Sequence, residues 1–265
     1  MAIDMTLLKK LRDATFAPLG DCKQALEEAN GDFDQAQEIL RKKGILKAGK
    51  KAERETNEGN VKLIQKDGWL AGIKLLCETD FVAKNETFAE LIDLLLEKII
   101  AHKSEVTSLE TIDAGLLESL QTIIAEFIGK IGENVQIGAV ILNNKTAYVY
   151  NHPGNKVASI IYYEGTDNGI AKELALQVAA MNPTYLSFDD ISTQEKEELL
   201  TQYREEMATS GKPANIIDQI IEGKLRKTLG ESVLLEQEYI RDGGKKVKDL
   251  ISGDFVVKGF VRLSI

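Results

Sequence analysis

The chain has 265 residues, of which 43% are apolar and 28% are charged, and its formal net charge is -9. This composition is that of a globular protein and excludes wholesale disorder, and the length allows one large domain or two to three small ones. The acidic balance argues against nucleic acid as the main partner, because neutralising phosphates requires a basic surface.

Residues 1–44 are predicted to form a bundle of three short amphipathic helices. Asp4 is placed to cap the first helix, and the second helix is predicted to end at Asn30-Gly31. Asp32 and Gln35 have capping-box-like spacing at the start of the third helix. Because so few residues enclose little core, we interpret this bundle as an interaction module.

Residues 45–59 are predicted to be a linker, since they contain several lysines and almost no large apolar residues. The lysines are typical of a solvated tether. An arm that binds nucleic acid is the alternative, and the acidic charge of the whole chain argues against it.

From Asn60 onward the apolar pattern becomes that of strands. Two apolar runs flank Asp67-Gly68, a dipeptide that supplies the positive φ angles of a tight turn, so a β-hairpin is predicted there. The next predicted elements are a helix on the apolar stripe from Phe88 to Ile99, a helix over 116–130, strands over 135–142, 147–150 and 158–163, and a helix over 169–181.

Two segments, 72–80 and 158–167, share one pattern: a strand, a Thr-Asp turn and then an amphipathic helix. This similarity predicts two related α+β subdomains with antiparallel strands, residues 60–143 and 144–265. Within the second, residues 192–227 are predicted to form a helical hairpin whose turn is Ser210-Gly211-Lys212-Pro213. Residues 255–265 alternate as a closing strand does.

Few residues are candidates for catalysis or metal binding. The two histidines, His102 and His152, lie in no metal-binding or triad-like pattern. The two cysteines, Cys22 and Cys77, have neither metal-ligand spacing nor the number that a disulfide framework needs, and Cys77 ends an apolar strand where a buried, inert thiol is expected. We therefore expect no cofactor, no metal and a reducing compartment.

The chain start has neither the basic nor the apolar region of a signal peptide. The most apolar stretch, residues 91–101, is interrupted by charges and is too short to span a bilayer. We expect a cytoplasmic protein without membrane contact.

The segment Thr79-Asp80-Phe81-Val82 allows two interpretations. Either of its first two residues can cap the following helix, with Phe81 packed as a hydrophobic staple against Phe88 or Leu91. Alternatively, Phe81 is an exposed aromatic residue on a braced turn, which is typical of an anchor in a protein–protein interface.

Several motifs stand in one order along nearly the whole chain. They are Leu11-Arg12-Asp13-Ala14-Thr15, Asp21-Cys22-Lys23-Gln24-Ala25-Leu26, Thr79-Asp80-Phe81-Val82-Ala83-Lys84-Asn85, Lys130-Ile131-Gly132-Glu133-Asn134, Ser210-Gly211-Lys212-Pro213 and Ile221-Glu222-Gly223. With these motifs the sequence resembles the elongation factor Ts family, the guanine-nucleotide exchange factors of elongation factor Tu. The segment from Thr79 to Asn85 is the most specific of them.

The resemblance implies a ubiquitin-associated-like N-terminal bundle, a core of two α+β subdomains and a protruding coiled-coil-like hairpin. It also implies that Asp80 and Phe81, with Thr79 and Val82 beside them, insert into the nucleotide-binding domain of elongation factor Tu and disturb the magnesium and phosphate contacts that hold GDP. A factor of this kind needs no catalytic side chain, binds no nucleotide itself and contacts no nucleic acid directly.

Further contacts with elongation factor Tu are implied for six residues elsewhere in the chain. They are Leu11, Arg12, Leu19, His152, Gly154 and Gln177. Gln177 stands where many family members have a histidine.

Two other functions stay open from the sequence alone. The first is a ubiquitin-associated-like adaptor that works through the N-terminal bundle. The second is a hydrolase or transferase, which would need a cleft that gathers His102 or His152 with acidic side chains.

Overall fold

The computed structural model describes residues 4–15, 17, 19–207 and 214–265. The chain forms two compact units. The first consists of the residues up to Lys145 together with Pro153–Val157 and Leu263–Ile265, and the second of Thr146–His152 and Ala158–Arg262. Helices and small three-stranded sheets make up the fold, so the predicted α+β class is confirmed.

The N-terminal bundle consists of three helices, as predicted. They are α1 (Met5–Thr15), α2 (Leu19–Glu28) and α3 (Phe33–Lys51). Their small core contains Leu8, Leu11, Ala17, Cys22, Ala25, Leu26, Ala29 and Ala36. The predicted cap of α3 is confirmed, because the Asp32 side chain accepts a hydrogen bond from the Gln35 N–H at 2.8 Å.

The predicted linker over residues 45–59 is wrong for its first half, because α3 continues to Lys51. The Lys, Ala, Leu and Ile residues of this stretch favour helix, and the single Gly49 weakens it only slightly. Helix α3 also packs against α6, defined below, and Gly44 contacts Gly129 directly before the extension begins. Tertiary packing therefore stabilises the helix beyond Gly44, the residue at which the sequence predicts its end.

The first sheet has the order β1-β2-β3 and is antiparallel throughout. Its strands are β1 (Glu58–Lys66), β2 (Trp69–Cys77) and β3 (Val135–Asn143). Asp67 and Gly68 have φ angles of 53° and 76°, and Lys66 pairs with Trp69, so the predicted tight hairpin is confirmed.

Three helices connect β2 to β3 along the chain. They are α4 (Asp80–Ala83), α5 (Glu86–His102) and α6 (Ala114–Ile131). The apolar sides of α5 and α6 join the sheet in the largest core of the first unit, which includes Ile73, Leu75, Phe88, Leu95, Leu96, Ile99, Leu120 and Leu142. This core is the rigid support of α4, the shortest of the three helices.

The second sheet has the order β4-β5-β8. Its strands are β4 (Ala147–Asn151), β5 (Val157–Glu164) and β8 (Val256–Ser264), with α7 (Ile170–Met181), α8 (Thr193–Met207) and α9 (Ala214–Ser232) between β5 and β8 in the chain. A short pair, β6 (Glu238–Tyr239) and β7 (Asp242–Lys246), was not predicted, because its polar, glycine-containing sequence lacks a strand pattern.

Both sheets have one topology: a hairpin, then helices, then a third strand beside the second strand of the hairpin. This common order supports the two related α+β subdomains that the sequence predicted.

The helical hairpin consists of α8 and α9. Ser192 accepts a hydrogen bond from the Glu195 N–H at 3.1 Å, which confirms the predicted start of α8. The buried Tyr203 of α8 donates its hydroxyl to Thr228 Oγ1 of α9 at 2.7 Å. The predicted turn at Ser210-Gly211-Lys212-Pro213 lies outside the described residues. Within the described ranges, no helix is long and apolar enough to cross a membrane.

Candidate functional site

Thr79 is the N-cap of α4, a separate helical turn that the sequence did not predict. A cap at Thr79 is confirmed, but it does not belong to the predicted helix of Phe88, which is α5. The Thr79 backbone is extended, and its hydroxyl oxygen accepts a hydrogen bond from the Val82 N–H at 3.4 Å. A one-turn helix has too few internal hydrogen bonds to be stable alone. The contacts around Thr79 and Val82 therefore determine whether this turn forms.

Phe81 is 82% exposed, so the predicted staple against Phe88 or Leu91 is wrong. A staple needs the residue just before a helix cap, and α5 begins from a separate cap at Asn85, whose Oδ1 accepts the Thr87 N–H at 3.0 Å. Phe88 instead lies in the core beside Phe127, with ring centroids 5.9 Å apart. The aromatic ring of Phe81 is left at the surface.

Val82 and Ala83 anchor α4 to the core of the first unit. Both side chains are buried in the core of the first unit, and the buried Asn60 of β1 donates its side-chain amide to the Ala83 carbonyl at 2.7 Å. The Val82 side chain therefore supports the turn and is not accessible at the surface, whereas Phe81 is.

Asp80 carries the negative charge of the turn. Its Oδ2 atom lies 2.6 Å from Lys84 Nζ, one helical turn later. The hydrogen bond from Lys84 lowers the pKa of Asp80, and the positive charge of Lys84 lowers it further. The turn thus presents an ionised carboxylate directly beside an exposed aromatic ring.

Two carboxylates join this turn by hydrogen bonds to the segment between α6 and β3. Glu133 accepts both donors of Thr79, the N–H at 3.1 Å and the hydroxyl at 2.8 Å. In the opposite direction, Glu78 accepts the Asn134 N–H at 2.6 Å and pairs with Arg54 at 3.3 Å. The bond from the Asn134 N–H is the main cause that lowers the pKa of Glu78, with Arg54 adding to it.

No local pattern in the sequence indicates a role for Glu133. The only signal that included it was the motif Lys130-Ile131-Gly132-Glu133-Asn134, which supported the family resemblance as a whole. Nothing local indicates that Glu133 meets a residue 54 positions away.

The predicted N-terminal contacts fall into two groups. Leu11 is fully buried among the three helices, so its side chain serves the bundle core. Arg12 is exposed and Leu19 is 50% exposed, and both are accessible to a partner.

His152 and Gly154 lie in the turn between β4 and β5. His152 is exposed, and its Nδ1 atom lies 2.9 Å from the Tyr150 hydroxyl. Gly154 is also exposed and has a φ of 89°, a conformation that favours glycine.

Gln177 is fully buried in α7, so its side chain is inaccessible to a partner in this structure. Its amide nitrogen donates to the Gln237 side chain at 3.1 Å and to the Glu238 carbonyl at 3.0 Å, and its amide oxygen accepts the Ile240 N–H at 3.0 Å. These bonds join α7 to the start of β6 and to the turn after it.

Neither His102 nor His152 forms an ion pair with a carboxylate in the described part of the chain. Among the same residues, no group of three or more His, Cys, Asp or Glu side chains is arranged to hold a metal ion. Cys77 is fully buried, and burial, aided by the charge of Glu133, raises its pKa to about 11, which confirms the predicted inert thiol.

Comparison with known proteins places these features in a family. A protein-family model described as elongation factor TS matches residues 78–265, a range that begins beside Thr79. Proteins named elongation factor Ts from Hydrogenobaculum sp. (strain Y04AAS1) and Aquifex aeolicus (strain VF5) are 39% and 38% identical to this chain. The alignments cover 100% of this chain and 99% and 98% of the two relatives.

A third relative, the elongation factor Ts of Porphyromonas gingivalis (strain W83), is 36% identical, and the alignment covers 100% of this chain and 99% of the relative. Both the family match and these full-length similarities agree with the motifs and with the α+β fold. The chain therefore belongs to the elongation factor Ts family and is a translation elongation factor.

Proposed function

We propose that this chain is a guanine-nucleotide exchange factor that binds elongation factor Tu in its GDP form and promotes GDP release, so that GTP can bind. The observation that carries the proposal is Phe81, an aromatic ring that is 82% exposed. Its turn is fixed by the Thr79 cap, by the hydrogen bonds from Thr79 to Glu133 and by the buried Val82. Rigid, exposed aromatic residues are typical anchors of protein interfaces.

Phe81 supplies binding energy in this proposal. Placing its ring in a pocket of the partner contributes about 1.5–3 kcal/mol, the usual gain from burying a large apolar side chain. Because α4 is already held by Asn60 and Glu133, little conformational entropy is lost when the partner binds.

Asp80 supplies the electrostatic part. An ionised carboxylate brought near the phosphates of GDP repels them, and near Mg²⁺ it competes with the ligands of the ion. An aspartate is ionised at neutral pH, and the hydrogen bond from Lys84, which lowers the pKa of Asp80, acts in the same direction. Phe81 would anchor the turn while Asp80 weakens the magnesium and phosphate contacts of the nucleotide.

No step of this mechanism requires covalent chemistry by the chain. If a factor binds the nucleotide-free partner more tightly than the GDP-bound partner, its binding weakens the affinity of the partner for GDP by the same ratio. Exchange is therefore a difference between two binding affinities, which agrees with a contact turn and needs no catalytic triad.

The exposed Arg12, Leu19 and His152 are included in the proposal as further contact residues, together with Gly154. Leu11 and Gln177 are buried, so we propose that they contribute by holding the folds that carry those contacts.

The experiment is GDP release from purified elongation factor Tu of the same organism, followed with a fluorescent GDP analogue in the presence of excess GTP. The wild-type chain should accelerate release, and Phe81→Ala should reduce the second-order rate constant about tenfold or more, the equivalent of ~1.4 kcal/mol or more. The control is Leu94→Ala, which removes another exposed apolar side chain from the first unit and should leave the rate unchanged. Equal rates for wild type and Phe81→Ala would contradict the role of Phe81, and no acceleration by wild type would contradict the function.

A further inference from the structure

Thr79 has two hydrogen-bond donors, and one carboxylate accepts both. The Glu133 Oε2 atom takes the backbone N–H at 3.1 Å, and the Oε1 atom takes the hydroxyl at 2.8 Å. This bidentate arrangement fixes both the position and the direction of the Thr79 side chain.

The direction of Thr79 matters because its hydroxyl also caps α4. While that hydroxyl donates to Glu133, its oxygen accepts the Val82 N–H, so the carboxylate orients the cap. Phe81 lies between Thr79 and Val82 in the same turn, and its ring is exposed, so burial in the core does not fix it. The orientation of the exposed ring therefore depends on Thr79 at one end and on the buried Val82 at the other.

The second unit contains a matching contact. There Asp254 accepts the Thr166 N–H at 3.2 Å and the Thr166 hydroxyl at 3.3 Å. Glu133 and Asp254 each stand two residues before the third strand of their sheet, β3 in one case and β8 in the other. The turn after Thr166 has no aromatic residue, because it continues as Asp167, Asn168 and Gly169.

We propose that Glu133 is a positioning residue of the exchange reaction, which holds Thr79 so that Asp80 and Phe81 are presented in the conformation that engages the partner. This inference rests on the proposed exchange function and assigns a role to a side chain outside the contact turn. Asp254 makes the same contact in a turn without an aromatic anchor, so it provides a matched control for stability.

A positioning role has a distinct kinetic signature. Loss of the contact between Glu133 and Thr79 can leave only a fraction of the molecules with the turn in its binding conformation. The apparent affinity for elongation factor Tu then falls in proportion to that fraction. The exchange rate at saturating factor concentration stays the same, because the bound complex is the same.

The experiment measures GDP release from elongation factor Tu over a wide range of factor concentrations for wild type, Glu133→Gln and Asp254→Asn. Each substitution keeps the shape of the side chain, removes its charge and leaves one Thr donor without an acceptor. For Glu133→Gln we expect the half-saturating concentration to rise about tenfold, as loss of a charge-assisted hydrogen bond predicts. The plateau rate should match wild type, and Asp254→Asn should leave both values within about twofold of wild type, the scatter expected of a substitution remote from the contact turn.

A double-mutant cycle then tests whether Glu133 acts through Thr79. Thr79→Val removes the hydroxyl and keeps the shape of the side chain. It should raise the half-saturating concentration in the wild-type background and raise it by a smaller factor in Glu133→Gln, where the bond to the carboxylate is already weakened and only the cap on the Val82 N–H remains to be lost. Amide hydrogen exchange should show faster exchange at Thr79 and Val82 in Glu133→Gln, and thermal unfolding should show that all variants are folded at the assay temperature.

The outcomes separate the two proposals. If wild type accelerates release and Glu133→Gln gives the same concentration dependence, the positioning role is wrong and the exchange function stands. Equal rises for Glu133→Gln and Asp254→Asn would show a general effect on folding and would also overturn it. If wild type does not accelerate release, the exchange function itself fails, and the positioning role fails with it.

Discussion

Gly129 of α6 packs directly against Gly44 of α3, and position 129 has no space for a side chain. A Cβ atom added to Gly129 would lie 2.9 Å from the Gly44 Cα atom, closer than a Cβ atom can approach. A Cβ atom added to Gly44 would lie 3.4 Å from the Ala125 carbonyl oxygen, which is tight but tolerated. This contact joins the N-terminal bundle to the core within the first unit.

We predict that Gly129→Ala lowers the free energy of unfolding by about 1–3 kcal/mol, because the added methyl group forces α3 and α6 apart. The effect opposes the gain of up to about 1 kcal/mol that alanine normally gives inside a helix. Gly49→Ala in α3 is the control, since no atom lies within 4 Å of its added Cβ atom, and it should be neutral or stabilising. Urea unfolding followed by circular dichroism measures both, and a Gly129→Ala as stable as Gly49→Ala would contradict the tight contact.

The same two glycines show why the linker prediction failed. The caps of the N-terminal helices are local features, so residues such as Asp32 and Gln35 were sufficient to predict the start of α3. Gly44 has the same sequence signal whether it ends a helix or lies where two helices touch. Only its contact with Gly129, distant in sequence, distinguishes these cases.

For the contact turn, residues 79–82, the sequence likewise predicted only the local features. Local spacing predicted a cap at Thr79 or Asp80 but assigned it to the helix that contains Phe88, and the local pattern favoured a buried Phe81 over an exposed one. The resemblance to a family indicated the exposed alternative, which the structure shows. Glu133 could not be found locally, because its contact with Thr79 depends on β3 lying beside β2.

Phe81 and Phe88 should differ sharply in their effect on stability. Phe81→Ala should change the free energy of unfolding by less than about 0.5 kcal/mol, because the side chain is exposed. Phe88→Ala should lower it by about 3–5 kcal/mol, since it removes a fully buried ring that packs against Phe127. Thermal and urea unfolding of both variants test the pair. A large loss of stability in Phe81→Ala would mean that the ring belongs to the core.

Gln177 is expected to stabilise the second unit. Replacing it by alanine removes three hydrogen bonds and leaves the buried side chain of Gln237 and part-buried backbone groups of Glu238 and Ile240 without that partner. Unsatisfied buried groups cost about 1–3 kcal/mol each where water does not reach them, so Gln177→Ala should lower the free energy of unfolding by at least about 2 kcal/mol.

The matched control for this substitution is Gln194→Ala. Gln194 is exposed on α8 and donates a hydrogen bond to Glu198 one turn later, so its replacement should change stability by less than about 0.5 kcal/mol. Urea unfolding of both variants makes the comparison, and equal losses would show that the buried amide network contributes nothing specific.

The Cys77 thiol should make stability depend on alkaline pH. Burial, with a smaller effect of the Glu133 carboxylate, raises its pKa to about 11, whereas a thiol in an unfolded chain ionises near ~8.5. Between these values the unfolded chain releases the proton and the folded chain keeps it. The folded state therefore binds more protons, and stability falls as the pH rises through this window.

The test compares Cys77→Ala with its parent in a Cys22→Ala background, so that only one thiol titrates. The alanine variant loses packing at every pH but has no thiol to ionise. The difference in free energy of unfolding between parent and variant should therefore be constant below about pH 8, where the Cys77 thiol is protonated in both the folded and the unfolded state, and should shrink as the pH rises further. A difference that stayed constant up to pH ~10.5 would show that the folded-state thiol ionises like an exposed one. Ionisation leaves the free energy of unfolding unchanged only when the thiol has the same pKa in the folded and the unfolded state.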